Sequence, residues 1–135
     1  MSGVLADASF LIALLDDDDA AHRRAAEAMP LLRQPLYSVW PAVGEAMYYF
    51  DDLPRGQEAL CDLVEDGTID MLPIGREDVA RMKALLRQYR DLPMDFADAA
   101  LVRVAERDGL KTILSFDKHF RVYRLPRRSS FEVLP

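Results

Sequence analysis

The sequence predicts an α/β fold, a three-layer α/β/α sandwich built on a mainly parallel sheet of four or five strands. Short apolar runs of strand length alternate with longer runs whose apolar residues recur at helical spacing. Such alternation requires crossover connections, which make neighbouring strands parallel and place helices on both faces. At 135 residues, half of them hydrophobic, the chain has the size of one ordinary domain, and residues 1–135 are read as a single domain with a sizeable core.

GVLAD (3–7) is a buried-strand candidate, and ASFLIALL (8–15) follows it at once as a helix. Asp19 is placed to N-cap a second helix reaching about Leu32, with the acidic run 16–19 at its positive end. LYSV (36–39) reads as the second strand. Pro41 suits the first turn of a helix over 41–50. Gly44, inside that helix, costs about 1 kcal/mol of propensity and marks a candidate close-packing position. Residues 55–66 put Ala59, Leu60, Leu63 and Val64 on one face, and Gly67 stops the helix. IDML (69–72) is the third strand, and 77–90 is an amphipathic helix carrying Val79, Met82, Leu85, Leu86 and Tyr89. Asp95 starts a helix that ends near Gly109. TILSF (112–116) and FEVL (131–134) complete the strands.

The net charge of −6 hides an asymmetry. Residues 1–72 carry 4 basic and 14 acidic side chains, against 13 and 9 in the remainder. An acidic chain does not bind phosphate backbones through its mean field, although a local basic strip beside a metal site would serve. The single cysteine, Cys61, excludes an intramolecular disulfide and suits a reducing, cytoplasmic compartment. No apolar run approaches a membrane span, and the N-terminus lacks the basic region of a signal peptide.

Parallel sheets bind ligands beyond the carboxyl ends of their strands, so acids at strand ends are the first candidates. Two candidate strands run into aspartates, Asp7 and Asp117, with Ser9 and Ser115 as small hydroxyls beside them. Each acid alone also fits a helix cap or a turn. Glu45 is a lone acid among Ala42, Val43, Ala46, Met47 and Tyr48, and it fits an exposed helical position as well as a functional one. Asp95 and Asp98 share a helical face; Asp95 is read as mostly a cap, and Asp98, flanked by apolar residues, as functional.

If Asp7, Glu45, Asp98 and Asp117 converge, two carboxylates ~5 Å apart repel by about 3 kcal/mol at an effective dielectric near 20. Protonation or a cation must relieve that. All-oxygen ligation suits Mg²⁺ or Mn²⁺, whereas two separated histidines, His22 and His119, do not make a zinc cluster. The chemistry that uses an acidic cage around a hard cation is phosphoryl transfer. His119 is expected to be a surface or packed histidine. Tyr48, Tyr49 and Phe50 are expected to line a core or a dimer face.

With these segments in view, VLADASFLIALLD, SVWPAVGEAMYY and DFADAALVRVAERDGLKTILSFDKHF, the sequence resembles the PIN domain and, within it, the VapC-type toxins of bacterial toxin–antitoxin pairs. The resemblance spans essentially the whole chain and rests on the ordered set Asp7, Glu45, Asp98 and Asp117. It implies a metal-dependent ribonuclease in which Asp7 and Asp98 bind the Mg²⁺ or Mn²⁺ directly. Glu45 then orients water or binds metal, and Asp117 completes the pocket. Ser9, Ser115 and Asp95 support these acids. The resemblance also implies an RNA substrate, a homodimer and an antitoxin partner. Lys118, Arg121 and Arg124 are candidate contacts to flanking phosphates. Trp40-Pro41 and the basic tail RVYRLPRRSSFEVLP are less typical of the family, and neither removes an acid.

Two rivals remain at this stage. One is a module of the same fold, catalytically weak, that only binds RNA or a protein through its acidic pocket; the presence of all four acids argues against it. The other is a phosphatase or receiver domain. A dehalogenase-type phosphatase wants D-x-D where this chain has Asp7-Ala8-Ser9, and a receiver wants an acid after the third strand, where Pro73 stands. No G-x-S-x-G, P-loop or G-x-G-x-x-G occurs.

Overall fold

The structure is a computed structural model, and it describes all 135 residues. Five strands, β1 (Val4–Ala6), β2 (Leu36–Ser38), β3 (Ile69–Met71), β4 (Thr112–Leu114) and β5 (Glu132–Leu134), form one sheet in the order β3-β2-β1-β4-β5. Every neighbouring pair is parallel. Six helices connect them: α1 (Ala8–Leu15), α2 (His22–Ala28), α3 (Trp40–Tyr49), α4 (Pro54–Glu65), α5 (Val79–Gln88) and α6 (Phe96–Asp108). The expected sandwich is present, with a sheet that is wholly parallel.

Side chains alternate across the strands and divide the core into two apolar layers. Val4, Ala6, Leu36, Ile69 and Leu114 pack with α1, α2 and α4. Leu5 and Ile113 point the other way, into a layer built from α5, α6 and the aromatics Phe120, Tyr123 and Phe131. Helix α3 contributes to both layers, Val43 and Ala46 to one and Val39, at its N-terminus, and Ala42 to the other.

The strand order fixes where a ligand can enter. From β1 the chain winds outward through β2 to β3, then returns across the sheet to β4 on the far side of β1. The order therefore reverses between β1 and β4, and the loops leaving these two strands diverge. That is the switch point at which parallel sheets open a crevice.

Several boundaries differ from expectation. The strands are three residues long because the flanking residues turn away into caps. Asp19 does not cap α2: its carboxylate accepts from Ala21 N and its carbonyl from His22 N, so it closes a turn three residues before the helix. That helix stops at Ala28, where Pro30 enters a 3-10 turn over Met29–Leu31 instead of continuing to Leu32. Residues 76–78 are likewise a 3-10 turn ahead of α5. Gly67 and Gly109 do end α4 and α6, both at positive φ. Gly44 packs against nothing; a methyl group there would meet open space.

Candidate active site

Asp7 follows β1 directly and is buried. Its Oδ1 accepts from Phe10 N at 3.0 Å, which caps α1, and from Ser9 Oγ at 2.7 Å. Its Oδ2 accepts from Ser115 Oγ at 2.6 Å. One carboxylate thus both caps α1 and gathers two hydroxyls from either side of the β1–β4 boundary. Ser115, the first residue beyond β4, reaches across the β1–β4 boundary, and its hydroxyl in turn accepts from Asp117 N at 2.9 Å. Ser9 Oγ accepts from Phe116 N at 2.9 Å. Each serine has one hydroxyl proton, and both protons point to Asp7. The two hydroxyls, 3.4 Å apart, therefore clamp the same anion and do not bond each other.

Asp117 lies three residues beyond the end of β4 and so is not a strand-end residue. It accepts from His119 N at 2.9 Å and starts the 3-10 turn Lys118–Arg121. The strand-end position belongs to Ser115. His119 is partly exposed, with its Nδ1 3.5 Å from Asp117.

Asp95 caps α6 through Asp98 N at 2.8 Å, as its spacing predicts. Asp98, in the first turn, is 8% exposed and receives a hydrogen bond on Oδ2 from Tyr123 OH at 2.9 Å. Sequence reading did not single out Tyr123, which lies in an irregular segment with no periodicity and looks like part of a basic tail. Its fully buried ring is packed edge-on by Tyr89, at 5.0 Å, and by Phe120, at 5.1 Å, so the hydroxyl is held where Asp98 needs it. Ser38, also unnoticed, ties β2 to β1 by donating to Ala6 O at 2.8 Å.

Glu45 lies on the exposed rim, on α3, with its carboxyl turned toward the other acids. Partial desolvation, a hydrogen bond with Asp95 and the charges of Asp98 and Asp7 push it up to about 8. Desolvation chiefly, then the neighbouring charge of Asp95, raises Asp98 to about 7. Burial raises Asp7 to about 6 against the opposing pull of its three hydrogen bonds. Asp117 adds negative potential at both Asp7 and Asp98. The acids named from the sequence therefore act on one another as a single cluster, and it resists full ionisation at neutral pH.

No three acidic, histidine or cysteine side chains stand close enough to make a ready chelate. The donor chemistry nonetheless fits a hard cation. Asp7 has a lone pair left on Oδ2, and Asp98 Oδ1 has no hydrogen-bond partner. Mg²⁺ keeps most of its waters and takes one or two protein carboxylates, so two such oxygens amid unrelieved negative charge suit it.

The basic residues divide. Lys118 and Arg121 are exposed and free of ion pairs. Arg124 is tied to its own turn, its Nη1 donating to the carbonyls of Arg121, Val122 and Tyr123. Arg103 and Arg107, in the same basic strip, are structural: both pair with Asp78, at 2.8 and 3.1 Å. Asp78 is fully covered, but by these two arginines and not by a deep core. Of the aromatics on α3, Phe50 is buried, whereas Tyr48 is 82% exposed and belongs to no core.

The sequence profile of the PIN domain matches residues 4–125. No curated protein matches the sequence significantly. The fold is similar to that of Mycobacterium tuberculosis VapC20, a toxin that cleaves the sarcin–ricin loop, with a TM-score of 0.85, 18% identity, and coverage of 98% of this chain and 99% of that one. It is also similar to VapBC2 from Rickettsia felis bound to a fragment of its promoter DNA (TM-score 0.72, 8% identity, coverage 99% and 100%). A toxin–antitoxin complex from Klebsiella pneumoniae shares it at a TM-score of 0.66 and 19% identity, with coverage of 85% and 87%.

Proposed function

We propose, given that this chain belongs to the PIN domain family, that it is a metal-dependent endoribonuclease and the toxin of a type II toxin–antitoxin pair. The observation that carries this reading is the cluster itself. Two buried carboxylates, Asp7 and Asp98, lie with Glu45, Asp95 and Asp117 at the switch point of a parallel sheet, and three of these acids are pushed toward or above neutrality. A protein keeps such an arrangement only where something compensates the charge.

In this reading Asp7 and Asp98 hold Mg²⁺ or Mn²⁺, which when bound activates water and neutralises charge on the phosphate. Ser9 and Ser115 fix the Asp7 carboxylate from two sides, and Tyr123 fixes Asp98. Glu45, at the rim, or Asp117 would position the attacking water, and Glu45 would take its proton only once a bound cation has displaced the proton it holds in the metal-free cluster. Asp117, linked by its own N–H to Ser115, closes the acidic pocket. The leaving 3′ oxygen takes up a proton from solvent to become a 3′-hydroxyl, and the other end carries a 5′-phosphate.

The same reading gives the protein a homodimeric state, an antitoxin that covers the acidic groove and a cytoplasmic location. No helix is long and apolar enough to cross a membrane. Looped RNA is the first substrate to test, since the similar VapC20 is described as cleaving such a loop. The test is cleavage of RNA with Mn²⁺, with EDTA, and by Asp98→Asn. Cleavage that needs the metal and is abolished in Asp98→Asn supports the reading. Binding of RNA or antitoxin without cleavage in any metal supports the weaker alternative, a binding module.

A further inference from the structure

Beside the acid cluster lies a small polar cavity of about 140 Å³, lined by Arg24, Ser115, Phe116, Asp117, Lys118 and Arg121 among others. Its cations come from opposite ends of the chain: Arg24 from α2, and Lys118 and Arg121 from the turn after β4. None of the three pairs with an Asp or Glu side chain, and Arg24 alone has an anionic contact, the terminal oxygen of Pro135, which also lines the cavity. Arg81, Arg103 and Arg107, by contrast, are neutralised by Glu106 or Asp78.

Arg24 is held in place, not waving in solvent. Its guanidinium lies over the Phe116 ring, 5.2 Å from the centroid, and one Nη2 proton goes to Pro135 O at 2.8 Å. A guanidinium carries five N–H donors, so four remain available. Phe116 is also the residue whose N–H fastens Ser9, and its ring stacks on Phe10. The position of Arg24 is thereby referred to the same backbone that places Asp7.

Resting on the ribonuclease reading above, we propose that Arg24, Lys118 and Arg121 form a phosphate subsite for the RNA strand. It holds a backbone phosphate next to the scissile one, on the Asp117 side of the cluster. A planar fork stacked on an aromatic ring, flanked by two point charges, is suited to a phosphodiester oxygen pair. The subsite resolves an electrostatic conflict: a polyanion must approach a pocket of carboxylates, and these cations draw one phosphate in while its neighbour meets the acids.

The test uses the full chain carrying Asp98→Asn, so that RNA is bound and not cut, and follows binding of a labelled single-stranded RNA as salt is raised. Arg24→Gln and Lys118→Gln are each expected to weaken binding several-fold and to lower the log–log salt slope by about 0.7, the value for one phosphate contact on a single strand. Arg55→Gln, the same charge change on α4, is expected to leave both nearly unchanged. Lys118 is exposed, so its variant guards against a folding artefact in Arg24→Gln. Equal effects of all three variants overturn the subsite, as does failure of the Asp98→Asn protein to bind RNA at low salt. Competition by polyglutamate but not by a short RNA would assign the cavity to an acidic peptide and also overturn it. Cleavage by the parent chain separates the two levels: no cleavage under any metal refutes the ribonuclease reading, whereas cleavage left intact by Arg24→Gln on long RNA refutes only the subsite.

Discussion

Tyr123 donates its phenolic proton to Asp98 Oδ2 at 2.9 Å, joining the loop after β4 to the first turn of α6. The bond opposes the rise in the affinity of Asp98 for a proton, while burial first and then the negative charge of Asp98 push the phenol up, well beyond its ordinary range. Tyr123 therefore stays a donor at any working pH and holds one carboxylate oxygen fixed, leaving Oδ1 for a cation. Tyr123→Phe keeps the ring packing and removes only this bond. The expected outcome is a loss of about 10- to 100-fold in metal affinity or cleavage, with stability lowered by about 1–2 kcal/mol. Calorimetric metal titration and thermal unfolding check the two halves separately.

Ser115→Ala removes the proton donor to Asp7 Oδ2 and the acceptor for Asp117 N together. The second loss leaves a backbone donor without its partner. A destabilisation of about 1–3 kcal/mol follows, together with weaker metal binding because Asp7 becomes harder to ionise. Ser9→Ala, on the partly exposed side of the same carboxylate, is expected to cost less. Denaturant unfolding of the two variants orders them.

Metal-free protein should be most stable in mild acid. The ordinary aspartate value near 4 applies in the unfolded chain, while the folded protein holds Asp7 at about 6, Asp98 at about 7 and Glu45 at about 8. These folded values are raised, so the stability is fully present below about pH 4 and is lost as pH climbs through 6 to 8. Asp7, the most buried, accounts for a loss on the order of 3 kcal/mol. Thermal unfolding from pH 4.5 to pH 8.5 with EDTA measures it. Mg²⁺ or Mn²⁺ should restore stability at the alkaline end and do little at the acid end, since the ligands must be deprotonated.

Asp78 is the contrasting acid, covered and structural. It accepts from Gly75 N, which does most to keep its carboxyl below the usual range, and it binds Arg103 and Arg107, which add to that. Asp78→Ala leaves two arginines without a partner and should cost about 3 kcal/mol. Its cleavage per folded molecule should match the parent, measured after correcting for the folded fraction.

Gly44→Ala should stabilise α3 by up to about 1 kcal/mol, because a methyl group there meets nothing. Unfolding of the variant checks this. The packing role that the sequence suggests for Gly44 finds no neighbour in the structure.

The legible parts of the sequence were those written in periodicity and caps. The strand–helix alternation carried the sheet and its layers, and Asp95, Pro41, Gly67 and Gly109 marked ends that the backbone adopts. The acids of the candidate cluster stood out in the sequence as carboxylates among apolar neighbours. Tyr123 was not, because its role depends on a long-range meeting of two loops, and nothing local distinguishes it from a core aromatic. Arg24 was hidden for the same reason: its partners lie about a hundred residues away. Asp19 misled because an acid before a helix looks like a cap whether it closes the helix or the turn ahead of it.

The most direct measurement is calorimetric titration of Mn²⁺ into the metal-free protein at pH 7, in two buffers of different ionisation enthalpy. Saturable binding with release of protons is predicted, because the cluster holds protons that a cation displaces; Asp98→Asn should lose that binding. No binding heat in either buffer, or equal binding by Asp98→Asn, would contradict the assignment of these acids to a divalent cation.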